Sequence, residues 1–192
     1  MVLKGRLMRV HGIEVRTASI EDMGQALRIH DETTSIVRLS EALDHQNRVF
    51  QLAHVLCLVE LPGILEQLTA GSALSSETAV ARCHVELANY FAAAFLMPYG
   101  PFFEAAEETR YDVDRLAAAF GVSFEQVCHR LTTLQRDGAK GVPFFFLRVD
   151  KAGNVTKRFN STSFNIADYG GACPVWNIHT SFRTPGVIVP QF

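Results

Sequence analysis

The residues best placed to do chemistry lie in the run RVFQLAHVLCL, where His54 opens the segment HVLCL at 54–58. A helical zinc hydrolase site needs two histidines at i and i+4 on one face, with a glutamate beside the first to deprotonate the metal-bound water. Here His54 stands at the first ligand position, Val55 at that of the base and Leu58 at that of the second ligand. Valine and leucine neither bind a metal nor move a proton, so the segment has the form of such a site without its working groups. A lone neutral imidazole does not hold Zn²⁺. No catalytic residue and no zinc are therefore expected, and His54 taken alone reads as a packed histidine on an apolar helix.

That helix must be held by others. Val49, Leu52, Ala53, Leu56 and Val59 recur at three- and four-residue spacing, which predicts a helix between Ser40 and about Leu68 with a break at Pro62-Gly63. A second helix is expected from about Ser76 to Met97, closed by Pro98; it is apolar over much of its circumference and should be central. Asp112 is a suitable cap for a third helix, and Ser123 with Gln126 forms a capping box on a fourth. Partial alternation in LMRVHGIEVR and TSIVRLS predicts a small sheet within residues 7–39. After Gly138 and Gly141 the run PFFFLRVDKAGNVTKRF predicts a hairpin turning at Asp150–Asn154, where Gly153 and Asn154 tolerate positive φ. The expected class is α+β, with a small N-terminal sheet and helical core over 1–140 and the start of a β-rich ligand-binding sub-domain over 141–192. The chain opens in one strand pattern and stops in another, VIVPQF, so it reads as a piece of a longer protein, truncated at both ends.

With 192 residues, 48% of them hydrophobic, the chain can bury one good core. Its 18 basic and 20 acidic residues exclude a uniformly basic surface for nucleic acid. No apolar run reaches the roughly 20 residues of a membrane helix, and the amino terminus lacks the apolar stretch of a secretion signal, so a cytoplasmic location is expected. Cys57, Cys83, Cys128 and Cys173 have no CxxC spacing and read as free thiols.

A second segment changes the weight given to His54. ELANYFAAAFLMP at 86–98 resembles the Ala-Asn-x-Phe-Ala-x-x-Leu-Met-Pro helix of the ImmA/IrrE metallopeptidases and regulators, and QLAH at 51–54 resembles the run into that family's zinc motif. The resemblance places Val85 where the family has its third ligand, a glutamate; Glu86 is turned from that position by about 100°. Further along, ANYFAAAFLMPY, CPVWNIHTSF and PGVIVPQ resemble the short-chain fatty acyl-CoA regulators. In these transcription factors a helix-turn-helix precedes a degenerate, zincin-derived IrrE-like domain and a β-rich domain. Within that group the likeness runs towards regulators of propionate (methylcitrate-cycle) metabolism, with those of the glyoxylate pathway close behind. The resemblance implies CoA or a short acyl-CoA such as propionyl-CoA as effector, promoter DNA bound through a domain outside this chain, and a homodimer or higher oligomer. It also implies an iron–sulfur cluster in the full-length protein, toward which Cys173 is a candidate ligand; a free thiol is the plainer reading of that residue.

An acyl-CoA needs an apolar pocket for its acyl chain, and aromatic and cationic groups for adenine and phosphates. The candidates are Tyr99 after the Met-Pro, Arg48 on the helix of His54, Lys157 and Arg158 late in the hairpin, and His54 itself. Each also has a plain reading, as a rim residue or a solvated charge. Two other functions stand beside this one. LAAAFGVSFEQVCHRL at 116–131 reads like a helix-turn-helix, with His129, Arg130 and Arg136 available to DNA. A working peptidase would have to recruit His84 or His179 as ligands.

Overall fold

In the computed structural model the described residues are 2–160 and 177–190, so Cys173 and the side chain of His179 lie outside them. The chain divides into two compact units, residues 1–127 and 128–192.

The first unit opens with α1 (Val2–His11), β1 (Glu14–Ala18), a short α2 (Ile20–Met23), β2 (Arg28–Asp31) and β3 (Ile36–Ser40). The strand expected over LMRVHGIEVR is thus corrected: its first half is helical. Leu3 and Leu7 fall one turn apart on one face, Leu7 is fully buried, and Gly12, at φ 67°, stops the helix so that Glu14 can start a strand. The sheet order is β1-β3-β2, with β1 parallel and β2 antiparallel to β3.

Next come α3 (His45–Glu60) and α4 (Pro62–Thr69), bent by 79° across Leu61. Asp44 caps α3, accepting the amide of Asn47, and the expected break falls at Pro62, the first residue of α4. One stripe of α3 (Leu52, Val55, Leu56) packs on Leu7, Ile13, Val37 and Leu39 of α1 and the sheet. On another side Cys57 clusters with Leu65 of α4 and Ala88 of α5 (Glu77–Leu96), which Ser76 caps.

The helix α5 is less enclosed than its composition suggests. Only Ala88, Ala92 and Ala93 are fully buried, while Tyr90 and Phe95 stay nearly half exposed. Alanines let α5 lie close to α3, which leaves its larger side chains on the flanks. A helix not foreseen, α6 (Tyr99–Glu108), follows Pro98 and buries Phe102 edge-on against Phe120 of α7 (Val113–Phe120). Gly121, in the left-handed region at φ 64°, ends α7. The capping box of α8 (Phe124–Thr132) is present in full: the Gln126 amide donates to Ser123 Oγ and the Ser123 amide to Gln126 Oε1.

In the second unit β4 (Phe145–Val149) and β5 (Val155–Asn160) form the expected hairpin, turned by Asp150, whose carboxylate accepts from the amides of Ala152 and Asn154. Of the two turn residues, Gly153 alone takes positive φ. A short α9 (Ile178–Ser181) follows. The strand pattern at VIVPQF is corrected as well, since Val187–Pro190 lie in no strand; Val187 and Ile188 are exposed, so nothing packs on the alternation. Among the described residues no single helix is long and apolar enough to cross a membrane.

Candidate functional site

His54 is only 2% exposed, where α3 faces α5. Its Nδ1 lies 3.0 Å from Asn89 Oδ1, and Asn89 Nδ2 donates to Glu86 Oε2 at 3.4 Å. The second contact fixes the Asn89 amide with its oxygen toward His54, which places the imidazole proton on Nδ1. The lone pair is therefore on Nε2, an atom that is buried and has no partner. Glu86 is itself held by Arg82 at 2.6 Å, so the relay runs from the surface of α5 to a buried, unsatisfied nitrogen.

A second unsatisfied nitrogen comes from β2. Arg28 pairs with Leu39 across the antiparallel ladder, so both side chains leave the same face of the sheet, and Leu39 packs in the core under α3. The Arg28 guanidinium buries its NH1 without a hydrogen-bond partner, and no carboxylate among the described residues pairs with it. Burial lowers the basicity of Arg28. For His54, burial first and then the nearby charge of Arg28 bring the pKa from 6.5 down to about 4, against weaker opposing effects of Asn89 and Glu86. The imidazole is neutral at pH 7. Sequence reasoning missed both partners of His54: Asn89 stood in the quoted ANYF run without a role, and Arg28 lay in a segment whose strand went unrecognised.

The residues present do not fit a zinc site. Val55 is fully buried in the sheet-side core, Leu58 packs beside Cys57 and Ala88, and Val85, one turn before Asn89, is apolar and partly exposed. A guanidinium beside the surviving imidazole opposes a second cation. Among the described residues no group of three His, Cys, Asp or Glu side chains converges as metal ligands. His84 is engaged elsewhere, its Nε2 3.1 Å from the Thr69 hydroxyl.

The other candidates fall as follows. Arg48, six residues before His54 on α3, donates from NH2 to the Glu41 carbonyl at 2.9 Å and buries its Nε without a partner. Tyr99 begins α6, half-buried and stacked on Phe103 with ring centroids 6.4 Å apart. Lys157 and Arg158 are exposed on β5 of the second unit, opposite Arg148 and Leu147. Successive strand residues point to opposite faces, so these two do not close on one phosphate from one side. The two helices expected over 116–131 are present as α7 and α8, but the second is ill suited to DNA. Arg130 is 2% exposed and bonds Thr133, His129 stacks on Phe159 at 3.6 Å, and the exposed start of the helix presents Phe124.

Residues 8–132 match the IrrE N-terminal-like domain, and residues 133–192 match the C-terminal part of the short-chain fatty acyl coenzyme A regulators. The chain belongs to the IrrE-like short-chain fatty acyl-CoA regulator family. Among curated relatives of this family member, the propionyl-CoA carboxylase regulator of Cereibacter sphaeroides is 48% identical over 85% of this chain and 35% of its own length. The HTH-type transcriptional regulators RamB and PrpR of Mycobacterium tuberculosis are 40% and 45% identical, over 98% and 86% of this chain and 40% and 34% of theirs. A solved structure of a Mycobacterium tuberculosis transcriptional regulator superposes with a TM-score of 0.88 at 41% identity, covering 98% of this chain and 57% of that one. The chain thus spans little more than a third of the length of these curated relatives.

Proposed function

We propose that this chain is the effector-binding domain of a transcriptional regulator of short-chain fatty acid metabolism, and that its effector is CoA or a short acyl-CoA such as propionyl-CoA. The curated relatives carry the names of regulators, and the base and ligand positions of the zinc motif hold Val55, Leu58 and Val85, so binding without hydrolysis is the reading that fits both. The observation that carries the ligand class is Arg48: a guanidinium with a buried, unpartnered Nε is a donor waiting for an oxyanion, and a CoA phosphate is one. Tyr99 would offer ring and hydroxyl to the adenine or pantetheine. On the second unit, Arg158 and Lys157 are further candidates for a phosphate contact. DNA would be bound by a domain outside this chain, in a homodimer or higher oligomer, and any iron–sulfur cluster would belong to the full-length protein.

Thermal unfolding with added ligand tests this. CoA or propionyl-CoA at 100 times its Kd should stabilise the chain by about 3 kcal/mol and raise Tm by several degrees. Arg48→Met, Tyr99→Phe and Arg158→Ala should each reduce the shift. Absence of any shift with CoA and with propionyl-CoA at about millimolar concentration overturns the assignment.

A further inference from the structure

The pair formed by Arg28 and His54 asks for a ligand of its own. Arg28 brings a cation whose NH1 is buried and unpartnered, and His54 brings an Nε2 lone pair in the same condition, on a side chain 98% out of solvent. A buried polar atom left without a partner is costly, and a buried charge more so. Water would satisfy the lone pair but leave the guanidinium charge uncompensated.

We propose that Arg28 and His54 form a receptor for one small carboxylate, bound where the family's zinc chemistry has been lost. The carboxylate matches the planar fork of the guanidinium. Its second oxygen meets His54 Nε2 across one shared proton, taken up on binding, so that an imidazolium or an undissociated acid completes the hydrogen bond. Glu86, through Asn89, stabilises the charge that His54 then gains. The groups facing His54 are Arg28 from β2 and Asn89 and Glu86 from α5, and of these Arg28 alone opposes protonation until the anion neutralises it. In the ligand-free chain both nitrogens are closed to solvent, and Arg28, half-buried on the edge strand β2, offers the way in. A site closed in this way suits a short aliphatic acid, not the bulk of a CoA thioester.

The experiment titrates the whole chain with acetate and propionate, against chloride and sulfate at equal ionic strength, by calorimetry in two buffers of different ionisation enthalpy. Saturable carboxylate binding with about one proton taken up per anion above pH 6 is expected. Arg28→Met should weaken it about ten-fold or more, in line with loss of a charge-assisted bidentate contact. His54→Gln should keep weaker binding but lose the proton uptake, and this readout serves if Arg28→Met does not fold. Equal binding of chloride or sulfate, proton uptake unchanged in His54→Gln, or carboxylate affinity unchanged in Arg28→Met overturns the proposal. The CoA reading fails separately: a lost CoA shift with carboxylate binding intact sinks that reading alone, and the reverse result sinks this one alone.

Discussion

The pH dependence of stability gives the sharpest test of the buried histidine. His54 takes up a proton near 6.5 in the unfolded chain and only near 4 in the folded one. Because the unfolded state is the better base, stability is at its full value above about pH 6.5 and falls as pH drops toward 4, below which both states are protonated and the loss stops. Between pH 7 and pH 5 the two values give a loss of about 2 kcal/mol from this one residue. The carboxylates with strongly lowered pKa values, Glu60 beside Arg6 and His11 and Asp31 in its turn, both near 2, lose their contributions only as pH falls through the usual carboxylate range, so they hardly act in this window. Urea unfolding of wild type and His54→Gln at pH 7 and pH 5, in buffers free of carboxylates, isolates the effect. The glutamine amide can still donate to Asn89 but cannot titrate. Wild type should lose about 2 kcal/mol more than the variant on going to pH 5. Equal losses in the two proteins would refute a neutral, desolvated His54.

Three further outcomes follow from the fold. Metal analysis after dialysis against zinc should find no stoichiometric metal, because Leu58 and Val85 replace ligands and Arg28 repels a cation; one bound zinc per chain would show that the donor set had been misread. Gly121→Ala should destabilise by about 1 kcal/mol in urea unfolding, since a Cβ meets nothing there but φ is positive, and no loss would mean that the turn adjusts. Phe102→Ala, which empties a fully buried site against Phe120, should cost about 4 kcal/mol, and a loss under 1 would show that α6 is not part of the core.

The parts of the fold legible in the sequence are those governed by local chemistry: the caps Asp112 and Ser123, the break at Pro62, the hairpin turned by Asp150. What escaped depends on pairing at a distance. β2 is four residues long with no alternation of its own, and only its ladder with β3 makes it a strand, so Arg28 had no visible direction. Asn89 was quoted as part of a motif, yet its role requires α5 to be laid against α3, which no spacing within one helix reveals. His54 and the loss of the zinc ligands were readable because they need only i and i+4 on one helix.

These two kinds of residue meet in one energetic argument. A domain kept only for its shape gains nothing from an imidazole at 2% exposure with one nitrogen unsatisfied, next to a guanidinium that buries another. Each such atom costs about 1–3 kcal/mol, and apolar residues of similar volume would remove the cost. Ala53 and Val55 show that this helix accepts buried apolar residues on either side of His54. The unsatisfied pair is then best understood as the ligand-free half of a set of hydrogen bonds. His54→Leu with Arg28→Met should consequently be more stable than wild type in the absence of ligand, and indifferent to the carboxylate that stabilises wild type. If the double variant is instead less stable, the two nitrogens are satisfied by ordered water and the site is structural.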